Sequence, residues 1–575
     1  MILLSLADYY QRLLADPDVN IAPPGFEYKW IDFLVVLNAD GSLDGLRDIR
    51  EGSGKKRKGR ISLVPKGVKR SSGIAANLLW DTAQYVFGIN PSKPERGTNQ
   101  REAFIKRIEQ TFTDSTDGGI RAVLAFLKAE NFDPVFGHAV WADVAESGGN
   151  ISFILSGNSQ TLICQRPDVI DAIREDAVPE GKTQICSVTG KKDVPAELHT
   201  AIKGVWGAQS SGANIVSFNL DAFRSFGKKQ GLNAPVGQRT EFAYTTALNY
   251  LLASENQRMQ VGDASTVFWA KNPCDFEVDL HPLLSPRKGE EAISYDKIRG
   301  LLSAAKSGIP SSEADMPFYV LGLAPNASRI AIRFWYEGNV KEIKERVAEH
   351  FQDIAMIRAP HDPEFLSMFQ LLITTATAHK SDNISPNLGG ELMRAILEGI
   401  PYPRTLLATA IRRCKVEQRI DFARASIIKG VLARSARISK SRKKEVSMAL
   451  DKTYDNIGYV LGRLFAVLER IQEQAQGGGL NKTIRDTYFG AATSSPLFIF
   501  KRLDDLAIHH FAKIRNRGGS TVWLEKLMGE IKDLVPKEGI PTILCMEDQG
   551  RFSVGYYHQR QDFFAKKEAE SKGEE

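Results

Sequence analysis

The stretch LDKTYDNIGYVLGRLFAVLERI, residues 450–471, sets Leu450, Tyr454, Ile457, Leu461, Leu464, Leu468 and Ile471 at alternating spacings of four and three. In a helix that turns every 3.6 residues these side chains share one face. Gly477-Gly478-Gly479 follows, and glycine ends a helix by taking a left-handed backbone at little cost. The pattern therefore predicts one long amphipathic helix. Further helical patterns run from Phe498 to Ile514 and from Trp523 to Leu534, which predicts a helical bundle over 448–575. The tail from Lys566 is charged and poor in apolar residues, so a frayed end is expected.

Working back from that bundle, helical patterns continue over 341–357, 365–378, 388–398 and 404–415. The strand signal is confined to the first 340 residues. Tyr28 to Leu37 is rich in aromatic and β-branched residues and ends at the turn Asn38-Ala39-Asp40-Gly41, the signature of a strand. Ile61 to Val64 reads as a short strand. Ile151 to Leu155 and Gln160 to Cys164 read as a hairpin around Gly157-Asn158-Ser159. Phe318 to Leu323 and Ile330 to Tyr336 read as another. Helices are expected at 77–87, 101–112, 120–129 and 239–253. The fold class is α+β: a mixed region with small sheets over 1–340, a basic helical connector over 341–447, and the helical bundle from 448 to 575.

Several function classes lack their residues. No run of about 18 apolar residues exists to cross a membrane. The opening Met1 to Leu6 is apolar without a basic lead, and Asp8-Tyr9-Tyr10-Gln11-Arg12 follows, so an amphipathic helix is expected there and not a signal peptide. Cysteines stand singly at 164, 186, 274, 414 and 545. Such spacing fits neither a disulfide framework nor a zinc site, and reduced thiols in a cytoplasmic protein are expected. Gly190-Lys191 lacks the rest of a phosphate loop, with Ile185 at the first glycine position and Lys192 at the hydroxyl position. His361-Asp362 and His509-His510 are metal-ligand types without companions at helical spacing. No cofactor, metal or catalytic group is expected.

The cations are unevenly placed. Residues 55–80 carry eight Lys/Arg and no acid, and residues 401–447 carry thirteen against three acids. Phosphates respond to such local excess more than to net charge. Three constellations follow. Lys66 to Asn77 offers Lys69 and Arg70 for phosphates, Ser71 and Ser72 as hydroxyls, and Asn77 as a base-reading amide; Lys55, Lys56, Arg57 and Lys58 precede it. Ile202 to Asn214 holds glycines for close backbone approach and Gln209, Ser210, Ser211 and Asn214 as neutral hydrogen bonders without a neighbouring base to activate a nucleophile. The third is a stripe with Arg412, Arg413, Lys415, Arg434, Arg437, Lys440, Arg442, Lys443 and Lys444, read as a phosphate-tracking face. Each has a plainer alternative: a solvated loop, a tight turn, and a merely solvated face, with an anionic membrane surface as the stripe's main rival.

These segments together resemble the large subunit of the type I-C CRISPR surveillance complex, Cascade. The matching stretches are Met1 to Leu14, Lys69 to Ile74, Asn387 to Leu392, Pro401-Tyr402-Pro403, Tyr459 to Ala466 and Ala491 to Pro496. The most specific runs from Cys186-Ser187-Val188-Thr189-Gly190 through Gly207 to Asn214 and on to Ser217-Phe218-Asn219. The likeness covers nearly the whole chain up to about residue 560. It implies a subunit near the 5′ end of a guide RNA, beside the backbone and 5′-end subunits. Such a subunit recognises the protospacer-adjacent motif (PAM) in target double-stranded DNA and helps separate the strands. It supports the displaced strand and recruits a helicase-nuclease, without cleaving DNA itself. On that reading Lys69, Arg70, Ser71, Ser72, Asn77, Gln209, Ser210, Ser211 and Asn214 meet the PAM. Lys55 to Arg60 grip the flanking duplex, and the 412–444 stripe follows the heteroduplex or displaced strand.

Lys444-Glu445-Val446 permits the codons AAG-GAG-GTN, a bacterial ribosome-binding sequence, shortly before Met448. The resemblance implies a small subunit made from the same gene, and Met448 to Glu575 is expected to be that product. Two rivals stand beside this reading: a metal-dependent nuclease using His361-Asp362, and a basic peripheral membrane protein using the 401–447 stripe.

Overall fold

The computed structural model describes residues 2–52, 57–68, 70, 73–113, 115–129, 131–157, 161–176, 181–307, 313–441, 445–477 and 482–571. The chain forms two units. One comprises Leu3–Thr200 with Val216–Ala247, and the other Ala201–Ile215 with Leu248–Glu575.

In the first unit, Asp32 splits the strand expected over 28–37. Its Oδ1 accepts from Gly59 N at 3.1 Å and its Oδ2 from Asn150 N at 2.9 Å. One carboxylate thus ties two separate ladders. Before it lies β1 (Phe26–Ile31); after it lies β2 (Phe33–Leu37). The sheet partners are β3 (Leu43–Asp48), β4 (Arg60–Pro65), β5 (Trp80–Thr82) and β6 (Asn150–Leu155). Among the described residues β1 pairs with β4 alone, as a two-stranded ribbon, while β3-β2-β6-β5 form a mixed sheet with β2 and β6 parallel. Gly59 is required at the junction, because a Cβ there would lie 2.0 Å from Ile31 O. β2 is buried at all five positions, as a central strand covered on both faces must be.

The helices of this unit are α1 (Ile2–Ala15), α2 (Ala83–Val86), α3 (Pro94–Thr111), α4 (Gly118–Lys128), α5 (Asp133–Phe136), α6 (Trp141–Ser147) and α7 (Pro167–Asp176). A small ribbon, β7 (Gln184–Ile185) with β8 (Lys192–Asp193), encloses Cys186 to Gly190. Two expectations are corrected. The helix over 77–87 shrinks to α2, because Trp80-Asp81-Thr82 pair with β6 instead. The hairpin over 151–164 does not form: β6 already has a partner on each side, and Ile163–Gln165 turn as a 3₁₀ segment. Asn158, Ser159 and Gln160 lie outside the described residues.

Helix α8 (Gln238–Ala253) contains the division between the units. In the second unit β9 (Arg258–Val261), β10 (Ala264–Ala270), β11 (Pro317–Asn326) and β12 (Arg329–Asn339) form an antiparallel meander. The β11–β12 hairpin is the one expected from the sequence. Helices α9 (Phe276–Leu284) and α10 (Glu291–Ser307) lie between β10 and β11 in the chain. Then come α11 (Val340–Ile354), α12 (Met368–Ile373), α13 (Leu388–Glu398), α14 (Arg404–Glu417) and α15 (Phe422–Ile438). The last helices are α16 (Ile457–Gln476), α17 (Ile484–Ser494), α18 (Pro496–Asn516), α19 (Val522–Lys532) and α20 (Met546–Ser571).

Sheet and helices here share one apolar core, from Met259 and Phe268 through Phe351 and Ile428 to Phe465 and Phe552. The expected boundaries at 340 and 447 therefore do not separate cores: α13 packs on β12, and α15 packs on both α11 and α20. The 450–471 face is realised in α16, but the helix begins at Ile457, where the Asn456 side chain accepts from Tyr459 N, and ends at Gly477 with φ 75°. Its centre touches α20 backbone to backbone. A Cβ on Gly462 would lie 2.0 Å from Phe552 O, and one on Gly555 2.3 Å from Tyr459 O. The whole is an α+β fold, with small sheets N-terminal and helices C-terminal.

Candidate nucleic-acid interface

Ile202 and Ala213 exchange both backbone hydrogen bonds, at 2.8 and 2.9 Å, and so close the segment between them into a loop. Three further ties fix its backbone. Lys203 N donates to Asn249 Oδ1 at 2.8 Å, Trp206 N to Ser265 Oγ at 2.9 Å, and Gly212 N to Gln209 O at 2.9 Å. Gly212 has φ 93°, and a Cβ there would lie 2.8 Å from Ile202 O, so only glycine fits. The following residue, Asn214, bridges Arg329 at the start of β12 through Ile330 N. What this scaffold presents outward is Lys203, Trp206, Gln209, Ser210 and Ser211, all exposed, with Trp206 at 57%. A rigid backbone carrying an indole, an amide and two hydroxyls can stack on a base and satisfy base-edge donors and acceptors alike.

The loop after β4 is organised differently. Asp81 is fully buried and accepts from Asn77 N at 2.9 Å and Thr82 N at 2.8 Å. Arg70 forms an ion pair with it, donates Nε to Ala75 O at 2.6 Å and lies 3.9 Å from the Tyr85 ring centroid. Asn77 is 6% exposed and spends its Oδ1 on Val68 N at 3.0 Å. Two expected DNA-reading residues are thus corrected: Arg70 and Asn77 are anchors that shape the loop, Arg70 through Asp81 and Ala75 and Asn77 through its Oδ1. Lys69, Ser71 and Ser72 lie outside the described residues, as do Lys55 and Lys56. Arg57 pairs with Asp48 at 2.7 Å, and the Lys58 backbone pairs with Glu51.

The basic stripe is the largest correction. α15 is buried along most of its length. Arg434 is fully buried, with Nε 2.6 Å from Asp353 Oδ2, a donor to Ala395 O at 2.8 Å, and its cation 4.0 Å from the Tyr402 ring. Arg437 pairs with Glu349 at 3.1 Å and Asp353 at 2.7 Å. Arg413 is 8% exposed and reaches Thr377 and Glu417. Lys415 donates to Ser494 Oγ at 2.7 Å and Gln549 Oε1 at 2.6 Å, and burial pushes its ammonium pKa down. The acids that pair with Arg434 and Arg437 come from α11, some 80 residues upstream in the case of Asp353 (separation 81), and Arg413 pairs with Glu417 on its own helix. Arg412 and Lys440 remain exposed; Arg442, Lys443 and Lys444 lie outside the described residues.

A family model described as CRISPR-associated protein (Cas_Csd1) matches residues 6–564. The chain belongs to this CRISPR-associated family. None of the curated proteins matches it. The match makes the chain a CRISPR-associated effector subunit.

In this CRISPR-associated subunit the β1–β4 ribbon carries exposed aromatics from the stretch read in the sequence as one strand. Tyr28 and Trp30 are 39% and 44% exposed and stand opposite Leu63 and Ile61. The Lys58 ammonium lies 5.5 Å from the Trp30 ring. Beside them opens a cleft of about 720 Å³ lined by Tyr28, Arg47, Arg60, Ile61 and Leu63. Arg47 and Arg60 have no ion-pair partner among the described residues. Exposed aromatics beside unpaired cations suit a nucleic-acid strand, rings for bases and guanidinium groups for phosphates. The available signal was the alternation Tyr28-x-Trp30 next to the 55–60 cations.

His361 is exposed and Asp362 spends its Oδ2 on Ala359 N at 3.0 Å, closing a turn. Among the described residues no three His, Cys, Asp or Glu side chains gather as a metal site, and no helix is long and apolar enough to cross a membrane.

Proposed function

We propose that the chain is the non-catalytic large subunit of a type I-C RNA-guided antiviral complex. In this role it reads the PAM in duplex DNA, helps open the duplex, supports the displaced strand and recruits the helicase-nuclease. Guide RNA pairing supplies the long sequence check, and protein reads only the short flank. The observation that carries the reading is the clamped loop from Lys203 to Gly212, which holds Trp206, Gln209, Ser210 and Ser211 outward on a fixed backbone. Neutral hydrogen bonders and an indole discriminate base edges and wedge stacked pairs without breaking bonds. The aromatic and cationic β1–β4 cleft serves the same role by holding adjoining strand or duplex.

The test is assembly of the guide RNA complex with and without this chain, followed by target binding. With the chain, a duplex bearing the correct flank binds more tightly than one bearing a scrambled flank. Without it, that preference vanishes while pairing to a complementary single strand persists. An unchanged preference in its absence would refute the assignment.

A further inference from the structure

A second concavity, of about 710 Å³, lies within the first unit. Cations converge on it from four separate elements: Lys66 from the end of β4, Arg107 from α3, Arg174 from α7 and Arg239 from α8. Arg107 Nε is buried with no hydrogen-bond partner. Lys66 and Arg239 have no ion-pair partner among the described residues, and Arg174 reaches only an exposed Asp171 at 3.6 Å. Two carboxylates, Glu197 and Glu241, also line the space, and Glu241 Oε1 is already taken by Thr200 N at 2.5 Å. Phe242 supplies an aromatic wall, braced edge-on by Tyr10 at 5.7 Å, with the Lys66 ammonium 5.3 Å from its ring.

We propose that this cavity binds a phosphate-bearing nucleotide, with the phosphate held by Arg107 and Arg239 and the base against Phe242. Guanidinium forks match phosphate oxygens in pairs, which an ammonium alone does not. The volume falls in the range of about 300–1,000 Å³ typical of small-ligand seats. The group has two possible sources, the phosphorylated end of a nucleic-acid strand or a free nucleotide. In the first case the cavity deepens the nucleic-acid role argued above and rests on it.

The test is isothermal titration of the full chain with adenosine monophosphate, adenosine, and a short single strand carrying either a 5′-phosphate or a 5′-hydroxyl. The monophosphate binds and adenosine does not. Arg239→Gln, at an exposed position, weakens binding about tenfold, the scale of one charge-assisted hydrogen bond, and Arg107→Gln does the same if its melting transition matches the parent. Tighter binding of the phosphorylated strand than of its hydroxyl twin, with displacement by the monophosphate, assigns a strand end; binding of the monophosphate alone assigns a free nucleotide. Absence of binding by both phosphorylated probes, or binding indifferent to Arg239→Gln, overturns the proposal. Flank preference of the assembled complex, measured in parallel, separates failure of this cavity from failure of the PAM assignment.

Discussion

Arg434 donates its Nε to Asp353 Oδ2 across 2.6 Å, with the guanidinium wholly inside the protein and the carboxylate nearly so. Removing one member of a buried pair costs about 3–5 kcal/mol where the other charge is left alone; Arg437, 2.7 Å from the same oxygen, still faces Asp353 and holds the loss to the lower end of that range. Arg434→Ala is therefore expected to lower unfolding free energy by about that amount, read by urea denaturation. A phosphate-gripping arginine would behave in the opposite way, leaving stability intact and weakening DNA binding with a shallower salt dependence.

Gly462→Ala tests the α16–α20 contact. Alanine favours a helix over glycine by about 1 kcal/mol in open solvent. Here its Cβ would meet Phe552 O at 2.0 Å, and forcing helices apart in a packed core costs about 1–3 kcal/mol or more. The expected outcome is net destabilisation in chemical denaturation. A stabilised variant would show that the helices do not cross so closely.

Two histidines predict acid sensitivity. Burial, reinforced by the neighbouring Arg434 charge, pushes His350 down to about 3. Burial also pushes His558 down, to about 4. Both stay neutral in the fold while unfolded histidine takes a proton near pH 6.5. Their contribution is fully present above about pH 6.5 and is lost as pH falls toward the folded values. Each adds a slope of about 1.4 kcal/mol per pH unit in that window. Unfolding free energy should thus drop between pH 6.5 and 5, with a shallower slope in His350→Gln. A flat profile would contradict the buried neutral state.

Initiation at Met448, which we propose, predicts a second product. Met448 is 56% exposed, so Met448→Ala leaves the full chain folded. A short C-terminal band spanning Met448 to Glu575 should appear on an expression gel of the parent gene and disappear in this variant. Persistence of the band would refute initiation at Met448. The product would carry α16 to α20 without any of the chain before Met448, exposing the α20 face that packs on α14 and α15 and where Tyr557 donates to Ile357 O at 2.9 Å in the full chain. Association of that face with a partner is the expected consequence.

What the sequence showed clearly was what local pattern controls. The α13 helix, the β11–β12 hairpin and the capped end of α16 at Gly477 all follow from periodicity and turn residues. Helix α20 did not show: residues 552–559 are buried all round, so no apolar stripe exists, and Gly550 and Gly555 sit inside the helix as close-packing contacts. The stripe misled for a related reason. Charge counted along α14 and α15 cannot register Asp353 and Glu349, which tertiary packing brings in from α11. Gln209, Ser210 and Ser211 were legible as chemistry, but their exposure depends on ties to Asn249 and Ser265 far along the chain.

The most direct measurement is target-duplex affinity of the assembled complex carrying Gln209→Ala, Ser210→Ala and Ser211→Ala together. The substituted side chains are exposed, so folding is preserved. Loss of base-edge hydrogen bonds should reduce the preference for the correct flank by about tenfold or more, while affinity for a pre-opened target is retained. An undiminished preference for the correct flank in this triple variant would contradict the role of the loop.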